Sequence, residues 1–205
     1  NVIKNEIHVR DDLVYFQQDE DVHCSIDFNV GIQATSFHAI RGGQVQTLDE
    51  FKGHPDTENL AIAIKEKFPE QIAKRRVFAY PDPSGRARKT SAPVGVTDFS
   101  ILAKRGIICL ARDSAPPIAD SVNAVNARLK TADGNINMFV SKKCTGVIQS
   151  LERTVWVDNN PDSATIDKKE GVEHYSDGIR YFIQYKYLVQ NNNKVIIKPP
   201  KGRIV

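Results

Sequence analysis

The sequence has few of the residues that characterise disulfide-rich, zinc-binding or membrane proteins. Its 205 residues include only three cysteines, Cys24, Cys109 and Cys144. These are far apart and form no C-x-x-C pair, so a zinc site or a disulfide framework is not expected and a reducing, cytosolic compartment is favoured. No apolar run reaches the ~18 residues that span a bilayer, and no signal peptide is evident. We therefore expect no membrane association.

Several catalytic motifs are also missing. The chain has no GxxxxGK[ST] loop, no GxSxG elbow and no GxGxxG after a strand. These absences argue against a P-loop ATPase, a serine hydrolase of the α/β type and a dinucleotide-binding domain. The sequence begins with Asn rather than Met, and we expect it to be a domain of a longer protein.

The composition is that of an ordinary globular domain. Hydrophobic residues make up 40% and charged residues 26%, which is enough apolar material for a core. The net charge of +3 is too small to indicate nucleic-acid binding by itself. Local clusters carry more information, and these are RARK at 86–89, Lys142-Lys143 and KPPKGR at 198–203.

Apolar periodicity predicts an alternation of strands and helices. The predicted strands are 13–16, 22–30, 32–41, 44–51, 76–80, 107–111 and 135–140, with an edge strand in the tail from 190. The predicted helices are 57–68, 96–104, 118–130, 145–157 and 173–188, with Asp56 or Thr57, Thr97 and Thr145 as caps. Gly42-Gly43 indicates a hairpin turn, so 22–51 should form an antiparallel meander. The later strand–helix–strand order predicts a parallel crossover, and hence an α/β fold with a mixed sheet flanked by helices.

Three aspartates lie where a metal-dependent nuclease needs carboxylates. Asp27 lies inside the apolar run HCSIDFNVG, and Asp82 follows the strand RRVFAY. If these strands are parallel neighbours, both aspartates lie toward the carboxyl ends, where ligands bind in open α/β sheets. Asp177 lies near the start of the last helix, three residues after His174. Three carboxylates in contact repel strongly unless a cation bridges them, and oxygen ligands suit Mg²⁺ or Mn²⁺, so we expect phosphodiester cleavage.

Each of these residues also has a simpler interpretation. Asp27 could cap a turn with Asn29 and Gly31, and the sequence PDPSG around Asp82 is strong turn chemistry. Asp177 could serve simply to stabilise the helix dipole. Against this, no Lys or Arg partner is expected for it on the same turn, so it would be a poor stabilising residue. His174 could be an ordinary surface residue near the start of a helix. In the functional interpretation it is a metal ligand, a residue that supports a ligand, or a proton shuttle. Arg86, Arg88 and Lys89 belong either to a solvated loop or to a clamp for DNA phosphates.

Three segments resemble the nuclease domain of the large terminase subunits of tailed phages. These are SIDFNVG, YPDPSGRARKTSAPVGVTDFSIL and DKKEGVEHYSDGIRYFIQY, spread over about 20–188. The resemblance implies an RNase H-like fold and a two-ion Mg²⁺ or Mn²⁺ centre held by Asp27, Asp82 and Asp177, with His174 at the histidine position of the motif. It also implies that 84–92 form a mobile basic hairpin that contacts DNA. Relatives usually have Ala where this chain has Gly178.

The resemblance also implies a biological setting. The chain would be a single nuclease domain over 1–205, with a basic tail at 189–205 and without the ATPase domain of the family. It would cut concatemeric double-stranded DNA with little sequence preference, in the host-cell cytoplasm, with the portal protein, the small terminase subunit and its own ATPase domain as partners. Two alternatives remain open, namely a junction resolvase or integrase-like strand transferase, and a DNA- or portal-docking module that has lost cleavage.

Overall fold

The computed structural model describes residues 3–28, 33–88, 90, 93–160, 165–168 and 170–187. Within these residues the strands form one mixed sheet, whose members are β1 (Val9–Arg10), β2 (Val22–Asp27), β3 (Gln33–Arg41), β4 (Gln44–His54), β5 (Val77–Pro81), β6 (Ile108–Cys109) and β7 (Met138–Ser141). The helices are α1 (Asn5–His8), α2 (Thr57–Lys67), α3 (Pro69–Ala73), α4 (Asp98–Lys104), α5 (Ile118–Leu129), α6 (Thr145–Arg153) and α7 (His174–Lys186). None of these helices is long and apolar enough to cross a bilayer.

The strand order is β1-β7-β4-β3-β2-β5-β6. The pairs β2–β3 and β3–β4 are antiparallel, whereas β2–β5, β5–β6, β4–β7 and β1–β7 are parallel. The predicted meander and crossover are therefore confirmed. Gly42 and Gly43 have φ values of 57° and 79°, which is the backbone that a tight hairpin turn requires and that glycine adopts without strain.

Both faces of the sheet are covered by helices. On one face α2 and α4 bury Leu60, Ile64 and Leu102 against the inward side chains of β2 and β5. On the other face α5, α6 and α7 pack against β3, β5 and β7, with Ile179 and Phe182 of α7 fully buried. Because side chains alternate along a strand, Cys24 and Ile26 face the first layer while His23, Ser25 and Asp27 face α7.

The leading strand is not where the sequence predicted it. Residues 13–16 form no strand, and the short first strand is β1. Arg41 explains the difference, because its guanidinium donates to the backbone oxygens of Val14 at 2.7 Å and Tyr15 at 3.1 Å. These carbonyl groups are thus satisfied without sheet pairing. Phe16 packs edge-on against Phe68, which accounts for the apolar character of the segment.

Two of the predicted helix caps are confirmed, and one is wrong. Asp56 accepts a hydrogen bond from Asn59 N at 2.8 Å, and Thr97 forms a capping box with Ser100. Thr145, by contrast, is the first helical residue of α6. The first amides of α6 are satisfied from across the fold, since the Glu50 carboxylate accepts from Gly146 N at 2.9 Å and Val147 N at 2.8 Å. The predicted tail strand lies outside the described residues.

Candidate active site

Asp27 and Asp82 lie at the same edge of the sheet. Strands β2 and β5 are parallel with Ile26 opposite Pro81, so the residues that follow, Asp27 and Asp82, come at matching positions. Because side chains alternate between the two faces of a sheet, both aspartates belong to the face that α7 covers. The sequence prediction that these two aspartates share the carboxyl edge is consistent with this register. We refer below to Asp27, Asp82, Glu173 and Asp177 as the acidic edge.

Helix α7 comes unusually close to the end of β2 at Gly178. A β-carbon at 178 would lie 3.3 Å from Ile26 N and 3.4 Å from Asp27 N, tighter than ordinary van der Waals contact. Only a very small residue at this position lets the helix backbone lie against the strand. This close approach brings the first turn of α7, with His174 and Asp177, to Asp27.

Asp27 is buried beside another acid. It is 7% exposed, and its Oδ2 lies 3.1 Å from His174 Nδ1. Burial, followed by the negative charge of Asp177, raises the pKa of Asp27 to about 6, although the hydrogen bond with His174 acts in the opposite direction. The neighbourhood therefore disfavours a second negative charge and favours a cation.

Asp177 is paired with two basic side chains. Its Oδ1 accepts from Arg180 Nη2 at 2.5 Å and its Oδ2 from Lys168 Nζ at 3.2 Å. The expectation that it would lack a basic partner on the same turn is wrong, because Arg180 follows at i+3 and is buried with it. Arg180 is also anchored by Ser121 Oγ at 3.0 Å. Asp177 is thus held in place by a fixed guanidinium and a more exposed ammonium.

Asp82 is held by its own turn and by α7. Its Oδ1 accepts from Ser84 N at 2.7 Å, which is the turn contact that the PDPSG sequence predicts. Its Oδ2 accepts from the Tyr181 hydroxyl at 2.8 Å. Burial, and then the hydrogen bond with Asp82, raises the pKa of Tyr181, so the phenol stays protonated and remains a donor. Turn chemistry and a position on the acidic edge therefore coexist at this residue.

The acidic edge has the donor chemistry for a divalent cation. Glu173 is 3% exposed, and its Oε2 has no hydrogen-bond partner among the described residues. Buried carboxylate oxygens of this kind suit Mg²⁺ or Mn²⁺. As the described side chains now lie, no three His, Cys, Asp or Glu groups are arranged to hold one ion. The donors fit, but the Lys168 ammonium would have to release Asp177 for an ion to bind there.

The basic loop is divided between two roles. Arg86 belongs to a 3-10 turn, Pro83–Arg86, and its guanidinium donates to the backbone oxygens of Ala111 at 2.6 Å and Arg112 at 2.8 Å. These contacts, and the ring of Phe99 at 5.2 Å, favour a structural role for Arg86. Arg88 is exposed. Lys89 lies outside the described residues, as do other parts of the predicted hairpin 84–92.

Four contributors to the site were missed or undervalued in the sequence. Arg180 and Tyr181 lie at i+3 and i+4 from Asp177, so helical spacing alone could have found them. Glu173 lies four residues before Asp177, so the same spacing points to it. Lys168 precedes α7 in a loop, and no periodic signal places a loop residue against Asp177.

The fold is similar to solved large-terminase structures. The large terminase of the thermophilic bacteriophage D6E, in complex with ADP, has a TM-score of 0.68 at 16% identity over 92% of this chain and 44% of that chain. The P22 large terminase nuclease domain has a TM-score of 0.62 at 14% identity, over 87% of each chain. The g2p (large terminase) nuclease domain of bacteriophage SPP1, solved with bound Mn, has a TM-score of 0.54 at 10% identity, over 84% of this chain and 92% of that one.

These likenesses define the fold class. The chain spans less than half of the D6E protein and most of the isolated P22 and SPP1 nuclease domains. No protein-family model and no curated protein matches the sequence. The chain has the fold of large-terminase nuclease domains, so the predicted RNase H-like fold is confirmed and the likeness to these proteins is one of fold.

Proposed function

We propose that this chain is a nuclease domain that cleaves concatemeric double-stranded viral DNA during genome packaging. The proposal is supported chiefly by the matching positions of Asp27 and Asp82 at the ends of two parallel strands, in a sheet with the large-terminase nuclease fold. The charge interaction between Asp177 and Asp27 supports it further. Burial of acids beside one another is costly unless it serves to bind a cation. Few base contacts are expected, because phosphate contacts carry no sequence information.

The acidic edge would hold two Mg²⁺ or Mn²⁺ ions. When bound, such ions supply an activated water and neutralise charge on the leaving oxygen. Asp27, Asp82 and Asp177 are the proposed ligands, and Glu173 is a further candidate because one of its buried oxygens is unpartnered among the described residues. His174 would orient Asp27, and Tyr181 would orient Asp82. Arg180 fixes the position of Asp177.

The partners follow from the same proposal. Double-stranded DNA is the substrate, and Arg88 and Lys89 are the proposed contacts of the basic loop. Portal protein, small terminase subunit and an ATPase domain on the same polypeptide would complete the packaging machine in the host-cell cytoplasm. The chain would act as one nuclease domain over 1–205, with 189–205 as a basic tail.

A nicking assay tests the proposal. Supercoiled plasmid is incubated with the wild-type chain and Mg²⁺ or Mn²⁺, and with Asp27→Asn, Asp82→Asn and Asp177→Asn. We expect each variant to lose nicking while its circular dichroism spectrum stays folded. Asp133→Asn is the matched control, because Asp133 is exposed in a turn and away from the acidic edge. Wild-type rates in any of the three would remove that aspartate from the proposed site.

One observation favours a second function, a DNA-docking module without cleavage. Asp177 already forms ion pairs with Arg180 and Lys168, as it would in a purely structural ion-pair cluster. Plasmid that is retarded on a gel but stays uncut in Mn²⁺ would support this module. Preferential cutting of four-way junctions over plasmid would instead indicate a resolvase or strand transferase with the same fold.

A further inference from the structure

A polar groove adjoins the acidic edge on the side away from Asp82. It has a volume of about 490 Å³ and is lined by residues of β3, β4, α6 and the loop before α7, among them Ala34, Lys52, Gln149, Arg153, Glu170 and His174. We call it the β4–α6 groove. Because His174 contacts Asp27 and also lines the groove, the groove opens directly onto the proposed site.

The sheet register places Lys52 in line with the acidic edge. Asp27 pairs with Ala34 on β3, and Ala34 pairs with Lys52 on β4. Neighbouring strands are about 4.8 Å apart, so the backbone at Lys52 lies roughly 10 Å from that of Asp27. The intervening side chain is only the methyl group of Ala34, so no bulky side chain on β3 separates the two. Successive phosphates of one DNA strand rise by about 3.4 Å, so both positions lie within reach of phosphates a few nucleotides apart.

The groove also contains basic side chains that make few or weak contacts within the protein. Lys52 is exposed, and no ion pair joins it to another described residue. Arg153 pairs with Glu170, but both side chains are about half exposed, and such surface pairs contribute little. A phosphate can therefore compete for Arg153. The amides at the start of α6 do not contribute, because Glu50 already occupies them.

We propose that the β4–α6 groove binds the sugar–phosphate backbone of the DNA strand that passes over the acidic edge, with Lys52 as the main contact and Arg153 as a second. This inference rests on the proposed function and specifies where the substrate lies. In this arrangement the cut strand is contacted on both sides of the scissile phosphate. The β4–α6 groove contacts it on one side, and the basic loop at 86–89 contacts it on the other. Lys52 is a positioning residue and takes no part in the chemistry.

The test is DNA binding without cleavage. In the Asp27→Asn background, fluorescence anisotropy of a labelled 30-base-pair duplex is measured over a range of salt concentrations, with and without Lys52→Gln. Loss of one phosphate contact should lower the slope of log K against log salt by about 0.9. Lys65→Gln is the matched control, because Lys65 is an exposed lysine on α2, across the sheet from the groove. Equal slopes for Lys52→Gln and Lys65→Gln would overturn the proposal.

A second measurement separates positioning from general instability. In the otherwise wild-type chain, Lys52→Gln should raise KM for plasmid nicking more than it lowers kcat, with an unchanged melting temperature. Glu170→Gln should tighten DNA binding, because it frees Arg153 and removes a charge that repels phosphate. If Asp27→Asn abolishes nicking while Lys52→Gln nicks and binds as Lys65→Gln does, the nuclease proposal stands and the groove assignment is wrong. A wild-type chain that neither binds nor cuts DNA would overturn both.

Discussion

The ammonium of Lys168 lies 3.2 Å from Asp177 Oδ2 and 4.0 Å from Glu173 Oε1. A basic side chain is thus located among the carboxylates that a divalent cation would need. The two basic partners of Asp177 differ in mobility, because the Lys168 side chain is 61% exposed whereas that of Arg180 is 9% exposed. Lys168 can leave toward solvent, and Arg180 cannot. If the acidic edge binds an ion as proposed, Lys168 is the group that we expect the ion to displace.

Removal of Lys168 should therefore strengthen metal binding. We expect Lys168→Met to bind Mn²⁺ more tightly than the wild type, measured by isothermal titration calorimetry or by the electron paramagnetic resonance signal of free Mn²⁺. An exposed ion pair contributes up to about 1 kcal/mol, so the gain should be at most about fivefold. Lys143→Met, a change at an exposed lysine before α6, is the control. Weaker Mn²⁺ binding by Lys168→Met would show that the ammonium supports the site instead of competing for it.

Asp27 should make the metal-free protein less stable at neutral pH. Its pKa is raised to about 6 from an ordinary value of 3.8, so the folded state resists its ionisation. The penalty is complete above about pH 6 and disappears as the pH falls toward 3.8, where the carboxyl is protonated in both states. In a chelating buffer at pH 7.5, Asp27→Asn should therefore be more stable by about 1–3 kcal/mol. The check is urea unfolding at pH 7.5 and at pH 4, and an equal difference at both values would contradict this explanation.

The fold was largely predictable because its elements carry strong local signals. Strand β2 is buried on both faces, Gly42-Gly43 marks the hairpin, and Thr97 caps α4 with Ser100 three residues later. The crossover from β2 to β5 then places Asp27 and Asp82 at one edge by topology alone. These are arguments from periodicity, turn chemistry and connection rules, which act over short stretches of chain.

The sequence predictions were wrong where residues distant in sequence form the hydrogen bonds of a segment. Arg41 holds the backbone of 13–16 away from the sheet, and Glu50 replaces the expected cap of α6. At the site, the position of Lys168 beside Asp177 depends on how a loop packs. Arg86 lies in a basic run that resembles a phosphate clamp, and it also donates to carbonyl groups of 111 and 112, so its predicted DNA contact stays a prediction. None of these pairings leaves a local pattern in the sequence.

Two buried histidines should make the fold sensitive to mild acid. His38 is fully buried, with Nδ1 2.9 Å from Thr47 Oγ1 and Nε2 3.0 Å from Ser25 Oγ, and burial lowers its pKa to about 3. Burial likewise lowers the pKa of His23 to about 4. Because the unfolded state binds these protons from about pH 6.5 downward, stability falls with pH, by about 2 kcal/mol per histidine at pH 5.

The acid effect is best measured where Asp27 does not oppose it, since that carboxyl stabilises the fold as the pH falls. We therefore expect Asp27→Asn to lose stability between pH 6.5 and pH 4.5 more steeply than the wild type in urea unfolding. His38→Gln should flatten the pH dependence in that background even if it lowers stability overall. His54→Gln, at a partly exposed position, should leave the slope unchanged. A slope that His38→Gln does not alter would mean that another group titrates.

The two arginines of the basic loop should respond differently to substitution. Arg86 is exposed, but it donates to two backbone carbonyl groups and lies over Phe99, so Arg86→Gln should lower stability by about 1 kcal/mol through the loss of these surface hydrogen bonds. Arg88 is exposed, so Arg88→Gln should leave the melting temperature unchanged and lower the salt slope of DNA binding by about 0.9. Differential scanning fluorimetry and anisotropy in the Asp27→Asn background measure the two effects. If Arg86→Gln lowers the salt slope at an unchanged melting temperature, then Arg86 leaves its carbonyl partners when DNA binds, and the structural role assigned to it here is wrong.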